Sequence, residues 1–337
     1  MYGLLGLNII MANKKEDVKE MKLLFKEMFH CMRVISQNES PECQKFFDSV
    51  DQMNSFGQLM AQCLQTVATN KEHQLAVIEE KHRNVQIDEE DEGEIKQELY
   101  KITGAATYIN ECCDIIMQTY KGDAADMIDN AVRAYFGKVL QDYKSVSERE
   151  LQDATFFFME YIEHCRNSDK MMIYELCSQF AEITLWTQPE MMDVRQNTIY
   201  GIGVMAKHLN QAAFKSLVGP AMKSVEHVLS NPTATSEEQL AVTENTYVTL
   251  ARLSLLHTLE ASHINQFLSA LPLKGDDEAQ EAHEFLFEQV LANNSVLMGP
   301  CKETMQQAVI RIQAAHKENE GLLTETGVEL MNKVLAL

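Results

Sequence analysis

The sequence predicts an all-α solenoid, a superhelix of antiparallel helix pairs, from three observations. Apolar residues recur at helical spacing along most of the 337 residues. Capped helix starts recur at a nearly constant interval, and no stretch shows the period-two alternation of a strand. The 6 Pro and 14 Gly residues do not cluster into a linker, so one continuous array is favoured over two domains.

Residues 189–209 show the helical pattern most clearly. One face of this predicted helix is apolar or small and consists of Met191, Val194, Thr198, Gly201, Ile202, Met205 and Leu209. Pro189 lies in the first turn, where proline is favoured. Gly201 and Gly203 each cost a helix interior about 1 kcal/mol relative to Ala. We therefore expect a second helix to lie close against them.

Capped starts similar to this one recur along the chain. They lie at Ser147, Thr235, Asp276 and Thr324, and Ser147 with Glu150 matches the S-x-x-E capping box. Second helices are predicted to begin at residues 147, 190, 234, 276 and about 320, which lie 42 to 44 residues apart. Such a period is typical of HEAT and armadillo repeats. The fold class is therefore a HEAT/armadillo-type α-solenoid of about six to seven helix pairs.

The repeat array is predicted to cover residues 16–337, whereas residues 1–15 are assigned to no repeat. The predicted helices are 16–36, 43–69 with a continuation over 71–84, 95–120, 122–143, 147–165, 169–186, 190–209, 212–230, 235–257, 263–271, 276–293, 296–316 and 324–336. Residues 87–94, IDEEDEGE, interrupt the pattern with six acidic residues. Such a run is typical of a solvated loop; a flexible acidic insertion that binds basic segments is the alternative.

Charge and cysteine usage limit the class of partner and the compartment. The net charge is −21, from 29 basic and 50 acidic residues. Nucleic acid and anionic membranes need Lys/Arg clusters and are disfavoured as main partners, whereas a basic protein fits. The eight cysteines form no CxxC pair, which indicates buried thiols in a reducing compartment. No run of about 20 apolar residues could span a membrane.

No pattern in the sequence indicates catalysis. The motifs GxGxxG, GxxxxGKS/T, HExxH and GxSxG are absent. Glu163 and His164 form only half of an HExxH motif, and His208 is more typical of a core histidine than of a metal ligand. We therefore expect a protein that is not an enzyme and that needs no cofactor or metal.

Acidic stripes on the predicted second helices 147–165 and 276–293 form the candidate functional site, with one aromatic residue beside them. The residues are Asp153, Phe157, Glu160, Glu163, Asp277, Glu281, Glu284 and Glu288. Second helices line the concave side of such a solenoid, so these side chains are expected to form an acidic inner wall that binds basic partners. An ordinary solvated helix face is the alternative.

Several segments also resemble a known family. VRQNTIYGIGVMAKH at 194–208 resembles the second helix of a late HEAT repeat in karyopherin-β nuclear transport receptors of the importin beta-3 type. Residues 268–300 resemble the "LPL, acidic turn, long helix, LGP" stretch of that family, and YIEHC at 161–165 and VTEN at 242–245 lie at the expected places. Asp193 and Arg195 match the Asp/Arg pair that links neighbouring HEAT repeats, whereas Ala270 replaces the Trp that these receptors tend to carry.

The resemblance implies a nuclear import receptor that works in the cytoplasm and nucleus without covalent chemistry. Such receptors hold basic cargo proteins on the acidic wall, contact nuclear pore proteins, and release cargo when the GTP-loaded small GTPase Ran binds. Chains of the family are much longer, and this one resembles their C-terminal part, so the main Ran-binding repeats are expected to lie outside it. A HEAT-repeat scaffold of a multiprotein complex, such as a phosphatase regulatory scaffold, is the alternative.

Overall fold

The part of the chain that the computed structural model describes is helical. It comprises residues 27, 57–58, 60–65, 67–69, 71–73, 75–76, 89–120, 128, 130–164, 170–209, 211–257 and 259–337. No strand occurs among these residues, which confirms the all-α class. They belong to two compact units, unit 1 (1–168) and unit 2 (169–337). None of the helices described is both long and apolar enough to cross a membrane.

Several predicted segments lie outside the described residues. These are residues 1–15, the helix 16–36 apart from Glu27, the first part of the helix 43–69, and residues 77–84. Between 57 and 76 every described residue is helical, as predicted. A single array that runs through both units stays a prediction.

Unit 1 contains three helices with described bounds: α1 (Glu89–Tyr120), α2 (Asn130–Gln141) and α3 (Glu148–His164). Helix α1 begins six residues before the predicted start, so the interpretation of 89–94 as a loop is wrong. Acidic residues are favourable in the first turns of a helix, because the backbone dipole is positive there. The acidic run therefore serves as a helix start; residues 87 and 88 lie outside the described part.

The capping box that opens α3 is confirmed. The backbone N–H of Glu150 donates to Ser147 Oγ at 3.4 Å, and the backbone N–H of Ser147 donates to Glu150 Oε2 at 3.3 Å. Lys71 adds an ion pair, with its Nζ 2.6 Å from Glu150 Oε1. The box thus fixes the start of α3 and ties it to the helical residues near position 71.

Unit 2 contains nine helices among the described residues, and they follow the predicted pairs. They are α4 (Lys170–Ile183), α5 (Met192–His208), α6 (Gln211–Phe214), α7 (Val218–Leu229), α8 (Leu240–Leu256), α9 (Ala261–Ala270), α10 (Asp276–Leu291), α11 (Lys302–Glu318) and α12 (Glu325–Leu335). Pro189 opens a 3₁₀ turn before α5, as expected of proline in a first turn. The predicted helix 212–230 is divided between α6 and α7.

Helix starts are less regular than the sequence suggested. The second helices begin at Glu148, Met192, Leu240, Asp276 and Glu325, which lie 36 to 49 residues apart. The predicted interval of 42–44 is therefore wrong in detail, because 3₁₀ turns precede three of these helices. Thr235 and Asp276 are not the N-caps, which are Ser236 and Gly275.

The predicted start of a helix at 296 is also wrong, because α11 begins at Lys302. Proline has no backbone N–H and disfavours the helical conformation of the residue before it, so Pro300 disfavours a helix that runs through it from residue 296. The Asn294 side chain instead accepts the N–H of Val296 at 3.1 Å and closes a turn.

The helices of unit 2 stack in two layers. Second helices α5, α8, α10 and α12 pack on one another in chain order, and among the first helices α4 packs on α7 and α9 on α11. Ser224 Oγ on α7 donates to the carbonyl of Ala181 on α4 at 3.0 Å, and Arg311 Nε on α11 donates to the carbonyl of Leu271 at 2.9 Å. These bonds join residues 43 and 40 positions apart, which is close to one predicted repeat.

The close contact expected at the glycines of α5 is confirmed at Gly203. A Cβ atom at Gly203 would lie 2.7 Å from Thr249 Oγ1 and 3.1 Å from Thr249 Cα on α8. Thr249 Oγ1 donates to the carbonyl of Ile199 at 2.7 Å. The glycine therefore lets the two helix backbones approach closely enough for a side-chain hydroxyl to bond the neighbouring backbone.

Candidate functional site on the acidic helix faces

Helix α3 buries more of its surface than the predicted core stripe, so two residues of the first acidic stripe are buried. It packs against both α1 and α2. Asp153 and Phe157 are 7% and 0% exposed, and the Phe157 ring stacks on Phe136 with 4.6 Å between centroids. The expected exposure of Asp153 and Phe157 on a polar wall is wrong, because a helix with two partners buries a wide arc.

Asp153 forms a buried polar link between α3 and α1. Thr107 Oγ1 donates to Asp153 Oδ2 at 2.8 Å, and Asn110 Nδ2 donates to the Asp153 carbonyl at 3.0 Å. Arg149 Nε in turn donates to Thr107 Oγ1 at 2.9 Å. Burial raises the pKa of Asp153 to about 7 against the lowering effect of the Thr107 bond. This carboxyl therefore changes protonation state near neutral pH.

A second carboxyl group with a raised pKa, Asp114 of α1, lies beside the first acidic stripe. Burial raises the pKa of Asp114 to about 7, and the nearby Glu160 carboxylate adds to the rise. Gln118 Nε2 donates to Asp114 Oδ1 at 2.9 Å. A cation bound beside Asp114 would therefore favour its charged form and offset its repulsion from the Glu160 carboxylate.

His164 is the cation that partly balances this group. Its Nε2 lies 3.1 Å from Glu160 Oε2. This hydrogen bond raises the pKa of His164 above its ordinary value, and the charges of Glu160, Glu163 and Asp114 act in the same direction. Glu160 and Glu163 are both half-buried rather than fully solvated. The first stripe is therefore a partly screened acidic face on α1 and α3.

The second stripe, on α10, is engaged within the protein. Arg252 Nη2 of α8 donates to Glu281 Oε1, and Tyr200 Oη of α5 donates to Glu281 Oε2 at 2.6 Å. The Arg252 guanidinium also lies over the Tyr200 ring, 4.8 Å from its centroid. Burial raises the pKa of Tyr200, so its hydroxyl remains a donor at neutral pH. Glu281 is therefore part of a neutral network rather than a free anionic contact.

The remaining members of the second stripe differ from one another. Thr324 Oγ1, at the start of α12, donates to Glu284 Oε1, so this carboxylate supports the next helix. Glu288 is exposed, as predicted. The Asp277 side chain lies outside the described part of the structure. Among the described carboxylates of the stripe, Glu288 is thus the one that lies on the surface.

Arg195 contacts the next helix pair, and its predicted role in linking repeats stays a prediction. It is 2% exposed, and its Nη1 donates to Gln239 Oε1 in the next helix pair at 3.4 Å. Its Nε donates to the carbonyl of Thr184 at 3.4 Å. Burial lowers the pKa of this guanidinium. Asp193 is exposed, and its part in linking the repeats stays a prediction.

Two polar groups that the sequence pattern missed hold the site in place. Buried Glu244 of α8 accepts the backbone N–H groups of Lys274 and Gly275 at 2.7 and 2.5 Å, just before α10 begins. His283 Nε2 accepts the N–H of Leu273 at 3.2 Å, and burial lowers its pKa to about 4. Glu244 lies within the VTEN segment, but the sequence offers no signal that its partner is a loop thirty residues away.

Thiol and metal chemistry find little support at the described positions. Burial raises the pKa of Cys63, Cys112 and Cys177 to about 12, so these thiols stay protonated and unreactive. No group of three or more His, Cys, Asp or Glu side chains within the described ranges could hold a metal ion.

Comparison with known proteins adds no support to the resemblance that the sequence motifs indicate. No protein-family model matches the chain. A search of curated proteins also gives no match. The likeness to karyopherin-β receptors therefore depends on the segments quoted above, 161–165, 194–208, 242–245 and 268–300.

Proposed function

We propose that each unit is a stretch of HEAT/armadillo-type α-solenoid whose second helices bind basic segments of other proteins. Stacked second helices and hydrogen bonds between residues about 40 positions apart support the repeat fold, because nearest-neighbour stacking is the basis of solenoid stability. The net charge of −21 favours a cationic partner through long-range attraction.

The observation that carries this proposal is the crowding of carboxyl groups between α1 and α3. Burial and the nearby Glu160 carboxylate raise the pKa of Asp114, and the basic side chain that contacts Glu160 is the imidazole of His164. A Lys or Arg side chain from a partner would supply a further positive charge to these carboxyl groups. Charge-assisted hydrogen bonds of this kind are stronger than neutral ones.

At the level of the cell, the proposal is a nuclear import receptor, or the C-terminal part of one, that binds basic cargo. The segments that resemble karyopherin-β receptors support it, and they imply Ran-dependent release and contacts with pore proteins in the cytoplasm and nucleus. Binding without covalent chemistry would be the whole of its activity. Ran itself would bind mainly through repeats that this chain does not resemble.

A peptide-binding titration tests the first part of the proposal. A fluorescein-labelled Lys/Arg-rich peptide should bind the full chain, and its affinity should fall as salt is raised, because exposed charges are screened over about 8–10 Å. The double variant Glu160→Gln/Glu163→Gln should weaken binding by about 3- to 10-fold, as expected for two partly screened charges.

The matched control is Glu303→Gln/Glu318→Gln, which removes the same charge from exposed positions on first helix α11. It should change the peptide affinity by less than about 2-fold. Equal losses in both double variants would show attraction to overall charge and no specific face. No binding by the wild-type chain would rule out the proposal.

A pull-down from cell extract tests the cellular role. Basic cargo that GTP-loaded Ran displaces from the longer receptor would support import. One stoichiometric enzyme partner that is insensitive to GTP-loaded Ran would instead favour a HEAT scaffold of a multiprotein complex.

A further inference from the structure

Three successive second helices of unit 2 meet in one polar network. Tyr200 belongs to α5, Arg252 to α8 and Glu281 to α10. The bond from Tyr200 Oη to Glu281 Oε2 joins residues 81 positions apart, so it passes from one helix to the next but one. Arg252 lies between them, with Nη2 bonded to Glu281 Oε1 and 3.4 Å from Tyr200 Oη.

The network supplies the chemistry with which a protein recognises an arginine. A carboxylate accepts a charged N–H, a hydroxyl lies within reach of the same guanidinium, and an aromatic ring lies beneath it. Here the arginine comes from the chain itself. Arg252 is 1% exposed, so solvent and partners cannot reach it. The Glu281 side chain is still 33% exposed, so a partner can approach the carboxylate from outside.

We propose that Arg252 is an internal occupant of an arginine site formed by Tyr200 and Glu281, and that it masks this part of the acidic face from basic partners. The proposal rests on the function proposed above, because it concerns where on the second helices a basic segment binds. It follows that α10 contributes little to binding through Glu281, and that the face of α1 and α3 is the stronger site.

The masking has a direct consequence for charge variants. Removing Arg252 leaves one unpaired carboxylate on a half-exposed site, whereas removing both charges leaves the net charge of the network at zero, as in the wild type. Both variants Arg252→Met and Arg252→Met/Glu281→Gln lack the buried arginine, but only the first keeps the carboxylate. Comparing their peptide affinities therefore distinguishes the effect of the exposed carboxylate from the effect of losing a buried side chain. Methionine keeps an unbranched stem in the space of the arginine stem.

The experiment is a fluorescence anisotropy titration of the full chain with a labelled oligo-arginine peptide. Arg252→Met should bind the peptide about 3- to 10-fold more tightly than the wild type, as expected for one additional half-exposed charge pair. Arg252→Met/Glu281→Gln should bind within about 2-fold of the wild type. Circular dichroism checks that each variant is folded. If Arg252→Met does not fold, Arg252→Gln replaces it, because the amide keeps a donor toward Glu281 without the charge.

Two outcomes would overturn the masking. Equal or weaker binding by folded Arg252→Met would show that the carboxylate is not available even when it is unpaired. A large loss in the double variant would show that Glu281 already binds the peptide in the wild type. If the wild type binds and loses affinity in Glu160→Gln/Glu163→Gln, the proposed function stands whatever the Arg252 variants do. No binding by any of these proteins would reject both.

Discussion

Units 1 and 2 place charged groups between packed helices in opposite ways. In unit 1, the α1–α3 interface contains Asp153 and Asp114, whose pKa values are both raised to about 7, foremost by burial. In unit 2, the carboxylate of Glu281 meets the guanidinium of Arg252. A carboxyl group between packed helices is therefore accommodated either by protonation, as in unit 1, or by pairing with a cation, as in unit 2, and these two arrangements respond differently to pH and to partners.

The direction of the pH response follows from these shifts. A carboxyl whose pKa is higher in the folded state than its ordinary value stabilises the fold most at low pH, and this contribution is lost as pH rises from about 4 to about 7. His164, whose pKa is also raised, contributes in the same direction. His283 of unit 2 has a lowered pKa of about 4, so its contribution is present above pH 6.5 and lost as pH falls toward 4.

The largest expected effect concerns the glycines of the two units. Gly203→Val should destabilise unit 2 by about 3 kcal/mol, because its Cβ would meet the Thr249 backbone and its branched side chain must overpack the interface. Gly137→Ala in α2 is the control, since the nearest atom to its Cβ would be Phe158 Cζ at 3.8 Å. That change should stabilise unit 1 by about 0.5–1 kcal/mol through helix propensity.

Hydrogen exchange followed by mass spectrometry measures both glycine variants, because it reports on each unit separately. Protection of peptides from α5 and α8 should fall in Gly203→Val, and protection of peptides from α1–α3 should not. Unchanged protection of α5 and α8 would contradict the close approach of these two helices.

Local sequence signals predicted the framework of both units. The capping box of Ser147 and Glu150, the first-turn Pro189 and the small face at Gly203 all depend on residues within one helix or on its spacing, and each is confirmed. Helix α11 and the acidic run 89–94 were placed wrongly, because proline and helix-dipole effects compete with simple periodicity.

The burial and pairing of the acidic stripe residues could not be predicted from such local signals. Asp153 is buried in the contact between α3 and α1, where Thr107, 46 positions away, donates a hydrogen bond to it. Glu281 is neutralised by an arginine 29 positions away. A helical wheel shows which side chains share a face but not how many neighbours cover that face. Asp114 was missed for the same reason, although its place within a helix was predicted correctly.

The pH comparison should produce the second largest effect. Unit 1 should be more stable at pH 5 than at pH 7.5, by about 2 kcal/mol. Unit 2 should be less stable at pH 5, because His283 binds a proton in the unfolded chain at that pH but stays neutral in the fold, where its pKa is about 4. Hydrogen exchange at both pH values, corrected for intrinsic exchange, measures each unit. In Asp153→Asn the pH dependence of unit 1 should become smaller, because the amide cannot ionise and can still accept the Thr107 hydroxyl. A steeper dependence in that variant would show that Asp153 is not a source of the effect.

The smallest expected effect on stability comes from removing a helix cap in each unit. Thr324 accepts the N–H of Gly327 at 3.0 Å and also donates to Glu284 of α10, whereas Ser147 forms its box within α3. Thr324→Ala should therefore cost unit 2 about 1–2 kcal/mol, because it removes a cap and leaves the Glu284 carboxylate without this donor. Ser147→Ala should cost unit 1 less, about 1 kcal/mol, because the Ser147 backbone N–H still donates to Glu150.

Thr324→Ser keeps the hydroxyl and should behave like the wild type. Hydrogen exchange of α12 peptides measures the difference, and a loss in Thr324→Ser as large as in Thr324→Ala would attribute the effect to the methyl group and not to the cap.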